Sequence, residues 1–416
     1  MKNYILNFVK EWNLNDWILG YLILFSILNI KLVPIGIVIL LISIWFNKSN
    51  VKVGFTNLVS LKNPLFWMML FFLYHLVGMI WTSNNEFGWS DIGMKASFLL
   101  LPIIFSIGKF NWSFQKVMSF LVLSQVVTVL FLLGLAVFKS LYYEEDNRWA
   151  YFFENEFSGY MHRSYFATYT SIGAIVSFFA FWRTSAKRWF IFTTILLSTA
   201  TILTLSKAGT ILLILTFTFA FIWMIWKKKM VVIGSLFSLG ILSFVFFLIF
   251  SNSKIASRLQ EVGNSLSHFQ TTNNSGVESN TARIIMWATS CRVISNNVIF
   301  GTGTGDVKDV LIAKNFELNN LGVANSKLNS HNQYLNSWVQ LGIFGLIFLI
   351  GIFFTAFKIA LKNKNLFQFF IVFIFAISLL FESFLETQAG IIPFCLFVSL
   401  IFSLKQNMVH ENEIKY

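Results

Sequence analysis

The chain has 416 residues, of which 56% are hydrophobic and only 12% charged, and its mean hydropathy is +0.70. Soluble globular proteins carry about 25% charged residues, so this composition excludes a soluble domain and indicates an all-α polytopic membrane protein. The net charge of +13 comes from cations scattered over short loops. That distribution argues against nucleic-acid binding, which favours a basic stripe with interleaved aromatic residues.

Twelve apolar runs are long enough, or nearly long enough, to cross a bilayer. In chain order they lie near residues 17–30, 33–46, 64–81, 93–107, 117–138, 164–182, 189–205, 208–226, 230–250, 334–357, 366–381 and 390–404. The first two runs, which turn at Lys31 and Pro34, are short, and the parity of the topology depends on them. The chain is expected to form one membrane domain, residues 1–416, with about 12 transmembrane helices.

Lysine and arginine accumulate in the cytoplasmic loops of membrane proteins. With both termini in the cytoplasm, the cytoplasmic segments hold 18 of the 31 cations but only 4 of the 18 acids. The long polar segment 251–333, between the ninth and tenth predicted helices, then lies outside. Its first part is rich in Ser, Asn and Thr, and a helix capped by Asn280 is expected from Thr281 to about Ser295.

Cations and imidazoles at the exterior ends of these helices are the candidates for chemistry. Charged groups at membrane depth are costly and therefore tend to be functional. Together they suit a pyrophosphate, which arginine binds bidentately and lysine meets as a point charge. The candidates are His162, Arg163, Lys207, Arg283 and His331.

Each candidate also has a purely structural interpretation. Arg283 could form an ordinary salt bridge, for example with Glu278 or Asp306. Lys207 could extend to the lipid headgroups, and His331 could simply cap a helix.

His331 and Asn332 stand where a polar loop enters the tenth apolar run. A helix over 332–357 would place His331 on one face with Gly342 and Gly345, and the glycines would allow a neighbouring helix to approach closely. Nearby cations and the positive end of the helix dipole favour the neutral imidazole, which can accept a proton.

Other chemistries find little support. The segment Phe300–Asp306, Phe-Gly-Thr-Gly-Thr-Gly-Asp, has the wrong glycine spacing for a dinucleotide site and is predicted to be a structural turn, with an anion-binding nest as the minority interpretation. The five histidines show no paired ligand spacing, and no serine lies in a nucleophile elbow. No metal and no cofactor are expected.

Several segments resemble, in the same order, the O-antigen ligase and polymerase superfamily of membrane glycosyltransferases. They are Trp81–Asn84, Lys95–Pro102, His162–Phe166, Thr204–Gly209, Arg283–Trp287, Phe300–Gly303, His331–Gly345 and Phe381–Gly390. The resemblance covers about residues 60–400 and is most specific over 281–345.

This resemblance implies that a glycan is transferred from a polyprenyl (undecaprenyl) pyrophosphate donor to a sugar hydroxyl, such as one on lipid A core. The reaction would take place at the periplasmic face of the bacterial inner membrane, in lipopolysaccharide biosynthesis, and the enzyme would be a metal-independent, inverting transferase. Its partners would be the lipid-linked glycan, the glycan acceptor and membrane lipids.

The family's residue roles carry over to matching positions. His331 resembles the catalytic base, Arg283 the loop arginine that holds the pyrophosphate, and Lys207 a second cation where the family usually has arginine. Arg163 stands where related sequences often have proline and could add another cation. The supporting residues would be Asn332, Gly342, Gly345 and His162.

Two alternatives stay open. A polymerase that joins repeat units would use the same kind of site, because acceptor choice lies in the irregular segment 251–330. A polysaccharide transporter or lipid flippase is more distant, since the two halves of the chain show no repeat.

Overall fold

The computed structural model describes residues 13–46, 58–108, 112–143, 148–183, 186–226 and 279–404, with isolated positions at 54, 56, 110, 239, 240 and 243. Within these ranges the chain is helical and contains no strand. The helices are α1 (Leu14–Leu28), α2 (Val33–Phe46), α3 (Pro64–Gly78), α4 (Asn85–Lys95), α5 (Ser97–Ile107), α6 (Phe114–Tyr142), α7 (Glu154–Ser158), α8 (Arg163–Arg183), α9 (Lys187–Leu203), α10 (Lys207–Trp226), α11 (Ser279–Asn296), α12 (Val307–Glu317), α13 (Leu321–Asn325), α14 (Gln333–Lys362), α15 (Leu366–Phe381) and α16 (Gln388–Ser403).

Eleven of the twelve predicted apolar runs coincide with described helices, and the run 230–250 lies outside the described residues except for positions 239, 240 and 243. Six helical segments are long and apolar enough to cross a membrane, and four shorter apolar helices accompany them. These helices confirm a polytopic, all-helical membrane protein. The count of twelve spans stays a prediction.

Of the predicted exterior segment 251–333, the structure describes 279–333. It holds the helices α11, α12 and α13, called the cap helices below. The first of them begins at Ser279, so Asn280 lies inside the helix rather than at its N-cap.

An aromatic cluster at the centre of the bundle holds the turn between α15 and α16 in place. Phe384 in that turn is fully buried, and its ring lies 4.7 Å from the ring of Tyr165 and 5.9 Å from that of Tyr169. The Tyr169 hydroxyl also donates to the carbonyl of Ala389, at 2.5 Å. Because α8 carries both tyrosines, these contacts fix the start of α8 against the turn at residues 382–387.

The cap helices have a hydrophobic core of their own, separate from the core of the bundle. Met286 of α11 and Leu311 of α12 are fully buried in it, together with Val339 from the first part of α14. Leu335 and Trp338 pack against the same core. The start of α14 therefore belongs to the cap, whereas its later turns belong to the bundle.

Helix α14 is broken at Gly342, where φ is +65° and ψ is −162°. A straight helix would separate Tyr334 from Phe353 by about 28 Å along its axis, at 1.5 Å per residue. Their rings instead lie 6.2 Å apart, and the Tyr334 hydroxyl reaches the carbonyl of Ala376 on α15, at 3.0 Å. Residues 333–341, called the arm below, thus bend sharply at Gly342 and fold back toward residues 343–362 of the same helix.

The predicted continuous face from His331 to Gly345 is therefore wrong. Gly342 adopts a left-handed conformation that ends the helical register, so residues before and after it do not share one face. Gly342 does not serve the approach of a helix, because a Cβ there would collide with the backbone of Ile299. Gly345 does allow a close approach, that of the helical arm, since a Cβ there would meet Leu341 and the carbonyl of Ser337.

The segment 297–303, called the support loop below, fills the break with backbone hydrogen bonds. The amides of Thr302 and Gly303 donate to the carbonyls of Val339 and Gln340, at 2.8 and 3.0 Å. The amide of Ile343 donates to the carbonyl of Val298, at 2.9 Å. The support loop thereby satisfies the polar groups that the break removes from the helical ladder, as burial requires.

Replacing Gly342 with alanine should destabilise the protein. The left-handed backbone costs a residue with a side chain about 1–3 kcal/mol, and the new Cβ would also collide with the support loop. The measurement is the apparent Tm in detergent. Gly134→Ala is the control, because a Cβ there meets nothing within 4 Å; a Gly342→Ala protein as stable as this control would contradict the role given to the break.

Candidate functional site

The carboxylate of Glu382, which directly follows α15, joins three other parts of the chain. Its Oε1 accepts from a guanidinium nitrogen of Arg283 on α11, at 2.7 Å, and from the hydroxyl of Ser164 on α8, at 3.3 Å. Its Oε2 lies 3.1 Å from Nδ1 of His331. The carboxylate thus holds together the two residues that the sequence singled out as base and cation.

Glu382 is buried, and its charge depends on these partners. Burial alone raises the pKa of the carboxyl group, but the hydrogen bond from His331 and the positive charge of Arg283 outweigh burial and lower the pKa below its ordinary value. An ionised carboxylate can only accept hydrogen bonds, so Nδ1 of His331 carries the proton that lies between them. In the neutral imidazole, Nε2 is then free to accept a proton.

His331 sits in a turn directly before the arm. Its φ is +45°, a left-handed conformation in which histidine occurs more often than most residues. Its backbone amide donates to the side chain of Asn329, at 3.0 Å, and Asn332 caps the arm by accepting from the amide of Leu335, at 3.1 Å. Asn332 therefore supports the site by capping the arm, and His331 lies in the turn before the arm.

Arg283 has a salt-bridge partner that the sequence did not suggest, whereas Asp306, one of the two that it did suggest, binds elsewhere. Asp306 accepts from the backbone amides of Ser83 and Asn84, at 2.8 and 2.7 Å, and so anchors the start of α4. Glu278 lies outside the described residues. Arg283 pairs with Glu382, which lies 99 residues after it in the chain.

The predicted cation Arg163 does not join this carboxylate. Its guanidinium lies 3.4 Å from the carboxylate of Glu154, at the start of α7. The pKa of His162 responds to the groups around Glu382. Burial lowers this pKa, the charge of Glu382 raises it, and Arg163, His331 and Arg283 lower it further, so that it lies below its ordinary value. His162 therefore lies at the edge of the site, with Arg163 directed to Glu154.

Lys207 begins α10 and is half-buried. The residue before it, Ser206, places its hydroxyl 3.4 Å from that of Ser164, which in turn donates to Glu382. A chain of two hydroxyls thus links the start of α10 to the central carboxylate.

These residues fall largely within one recognised domain. A model of the O-antigen ligase family matches residues 192–350 of the chain. The chain carries an O-antigen ligase family domain. The matched range includes Lys207, Arg283 and His331 and ends before Glu382. No curated protein matches the chain.

A second carboxylate in the same turn, that of Glu386, ties the turn to α4. Glu386 lies 3.2 Å from the ammonium of Lys95, which is fully buried and also binds Asp91, at 2.5 Å. Burial raises the pKa of Glu386, whereas the charge of Lys95 lowers it.

Gln333 connects this second carboxylate to the arm. Its side-chain amide donates to Glu386, at 2.8 Å, and its carbonyl accepts from the amide of Leu385, at 2.7 Å. Two bonds from one side chain therefore fix the turn that carries Glu382 against the segment that carries His331.

Sequence reasoning missed Glu382, Gln333 and Ser164. The segment Phe381–Gly390 was recognised only as part of the family resemblance, although a carboxylate at the end of an apolar helix is itself a functional signal. Gln333 and Ser164 carry no such signal, because uncharged polar residues at helix starts are common.

The Phe300–Asp306 segment is a structural turn, as predicted. The amides from Gly301 to Gly305 all donate to protein acceptors, so none faces outward to form an anion nest. In the part of the chain that the structure describes, no three His, Cys, Asp or Glu side chains converge as a metal site requires. Metal independence itself stays a prediction.

The pH dependence of stability should change in Glu382→Gln. Because the pKa of Glu382 in the folded protein lies below its ordinary value of 4.5, its ionised form contributes stability that is complete above 4.5 and is lost as the pH falls through the folded pKa. Wild type should therefore exceed the variant in apparent Tm near neutrality, and the difference should shrink in acid. Glu156→Gln, at an exposed position, is the control; a Glu382→Gln difference that stays constant with pH would refute the assignment.

Proposed function

We propose that this protein transfers a glycan from a polyprenyl pyrophosphate to a sugar hydroxyl, such as one on lipid A core, at the periplasmic face of the inner membrane. The observation that carries the proposal is the contact of His331 and Arg283 with one carboxylate, that of Glu382. The O-antigen ligase match supports a ligase or polymerase in general; ligation and the identity of both substrates belong to the proposal.

In the proposed reaction the acceptor hydroxyl attacks the anomeric carbon of the donor sugar. A new C–O bond forms while the bond between that carbon and the pyrophosphate oxygen breaks, and the pyrophosphate departs with the electron pair. Nε2 of His331 takes the hydroxyl proton as a general base. The direct displacement inverts the anomeric configuration and needs no covalent enzyme intermediate.

Glu382 would act as a positioning residue for this base. Its carboxylate accepts a hydrogen bond from Nδ1–H, which orients the ring and stabilises the imidazolium that forms as Nε2 is protonated. The sequence expectation included no such carboxylate and relied on nearby cations and the helix dipole.

Arg283 would stabilise the charge that develops on the departing pyrophosphate. A guanidinium has five N–H donors in a rigid fork, so one group can bind a carboxylate and phosphate oxygens together. Lys207 would add a second positive charge from the start of α10. Arg163, paired with Glu154, would contribute less than the sequence suggested.

Substitutions at the centre test the proposal in a purified system with a lipid-linked glycan donor and a glycan acceptor. His331→Ala should reduce kcat by about 100-fold or more, the usual contribution of a general base. Arg292→Gln is the matched control, since Arg292 is exposed on the same helix as Arg283. A His331→Ala enzyme with normal turnover and normal folding would exclude His331 as the base.

Glycan profiles of a deletion strain separate ligase from polymerase. Loss of a ligase leaves long polymer on the carrier lipid, whereas loss of a polymerase leaves single repeats. A profile unchanged by deletion would favour the transporter or flippase, which should move carrier lipid across vesicles without any acceptor.

The two outer cations should differ in importance. Lys207→Met should raise the donor KM by about tenfold or more, because a hydrogen bond to a charged group contributes roughly 1.5–3 kcal/mol and 1.4 kcal/mol is a factor of ten. Arg163→Met should have a smaller effect, since Arg163 pairs with Glu154. Lys207→Arg should retain activity; equal losses in Lys207→Met and Arg163→Met would contradict this ranking.

A further inference from the structure

The tip of the support loop exposes three consecutive large apolar side chains. Val298, Ile299 and Phe300 are 44%, 54% and 59% exposed. Exposing such a contiguous patch to water is costly, so it marks a surface that contacts another apolar phase.

The patch continues an exposed apolar stripe on the segment Pro64–Trp81, which comprises α3 and the short 3₁₀ turn after it. Leu73, Val77 and Ile80 are exposed at helical spacing along this apolar segment, and the following residue, Trp81, has its ring 5.8 Å from that of Phe300. A spanning helix turns its exposed apolar side chains to lipid, so the lipid-contacting surface along this stripe extends as far as the support loop.

A second path of rings joins the patch to α14. The ring of Trp81 lies 6.3 Å from that of Tyr74, and Tyr74 contacts Phe344, which is exposed on α14 directly after the break. The backbone bonds to Val339, Gln340 and Ile343 hold the loop at the level of that break. The loop is therefore fixed beside two apolar helices, at the end of α3 opposite Lys62.

We propose that the support loop is inserted into the lipid bilayer, with Val298, Ile299 and Phe300 among the acyl chains of the leaflet at the Trp81 end of α3. The same loop bonds to the arm, so its insertion sets the depth of the arm relative to the membrane surface. The inference rests on the support loop and its neighbours and is independent of the reaction proposed above.

Spin labelling of the full chain in proteoliposomes tests the insertion. Cys291, which is exposed, is first replaced by serine, whereas buried Cys395 is kept. Single cysteines at Ile299 and at Val298 then carry a nitroxide, and Ser295→Cys, on the exposed last turn of α11, is the matched control. Collision rates are measured with oxygen, which concentrates in lipid, and with a water-soluble nickel chelate.

Insertion predicts that oxygen relaxes the labels at Ile299 and Val298 several-fold more than the nickel chelate does, with the order reversed at Ser295. A nickel response at Ile299 and Val298 equal to that at Ser295 would mean that the loop lies in water. Low accessibility to both reagents would mean that a second copy of the chain or another protein covers the patch. Either of the last two results overturns the proposal.

Discussion

The arrangement of the site depends on compensating the negative charge of one buried carboxylate. Glu382 has lost most of its water, and an ionised carboxylate in that position is stable only with hydrogen bonds and positive charge close by. Arg283 and His331 supply both, from a cap helix and from the turn before the arm. The electrostatic requirement of a single group therefore brings together segments that are far apart in the chain.

The break at Gly342 makes this meeting possible. A straight α14 would carry His331 away from the bundle along the helix axis, whereas the turn at Gly342 directs the arm toward α15. The support loop satisfies the broken backbone, and the arm packs into the core of the cap helices. The break at one glycine thus joins the cap to the bundle and places His331, the candidate base, directly before the arm.

The two carboxylates of the turn after α15 have separate environments. Glu386 faces the fully buried Lys95 in a network that fixes the turn, whereas Glu382 faces the partly accessible His331 and Arg283. Of the two carboxylates, Gln333 bonds to that of Glu386, and it also accepts from the backbone amide of Leu385 beside it. The network around Glu386 thereby holds in place the turn that carries Glu382, and a base at His331 would require such support.

Much of this could be read from the sequence. Composition and apolar runs determined the membrane class and the positions of the long apolar helices, because a bilayer imposes length and hydrophobicity on each span locally. Ordered motifs predicted His331 and Arg283 as site residues, which stays a prediction, and indicated the O-antigen ligase family, whose model matches residues 192–350. Glu382 as the common partner, the left-handed Gly342 and the pairing of Arg163 with Glu154 were decided only by the tertiary structure. The physical reason is that ion pairs and helix breaks depend on which distant segments pack together, and hydropathy in a local window contains no information about that.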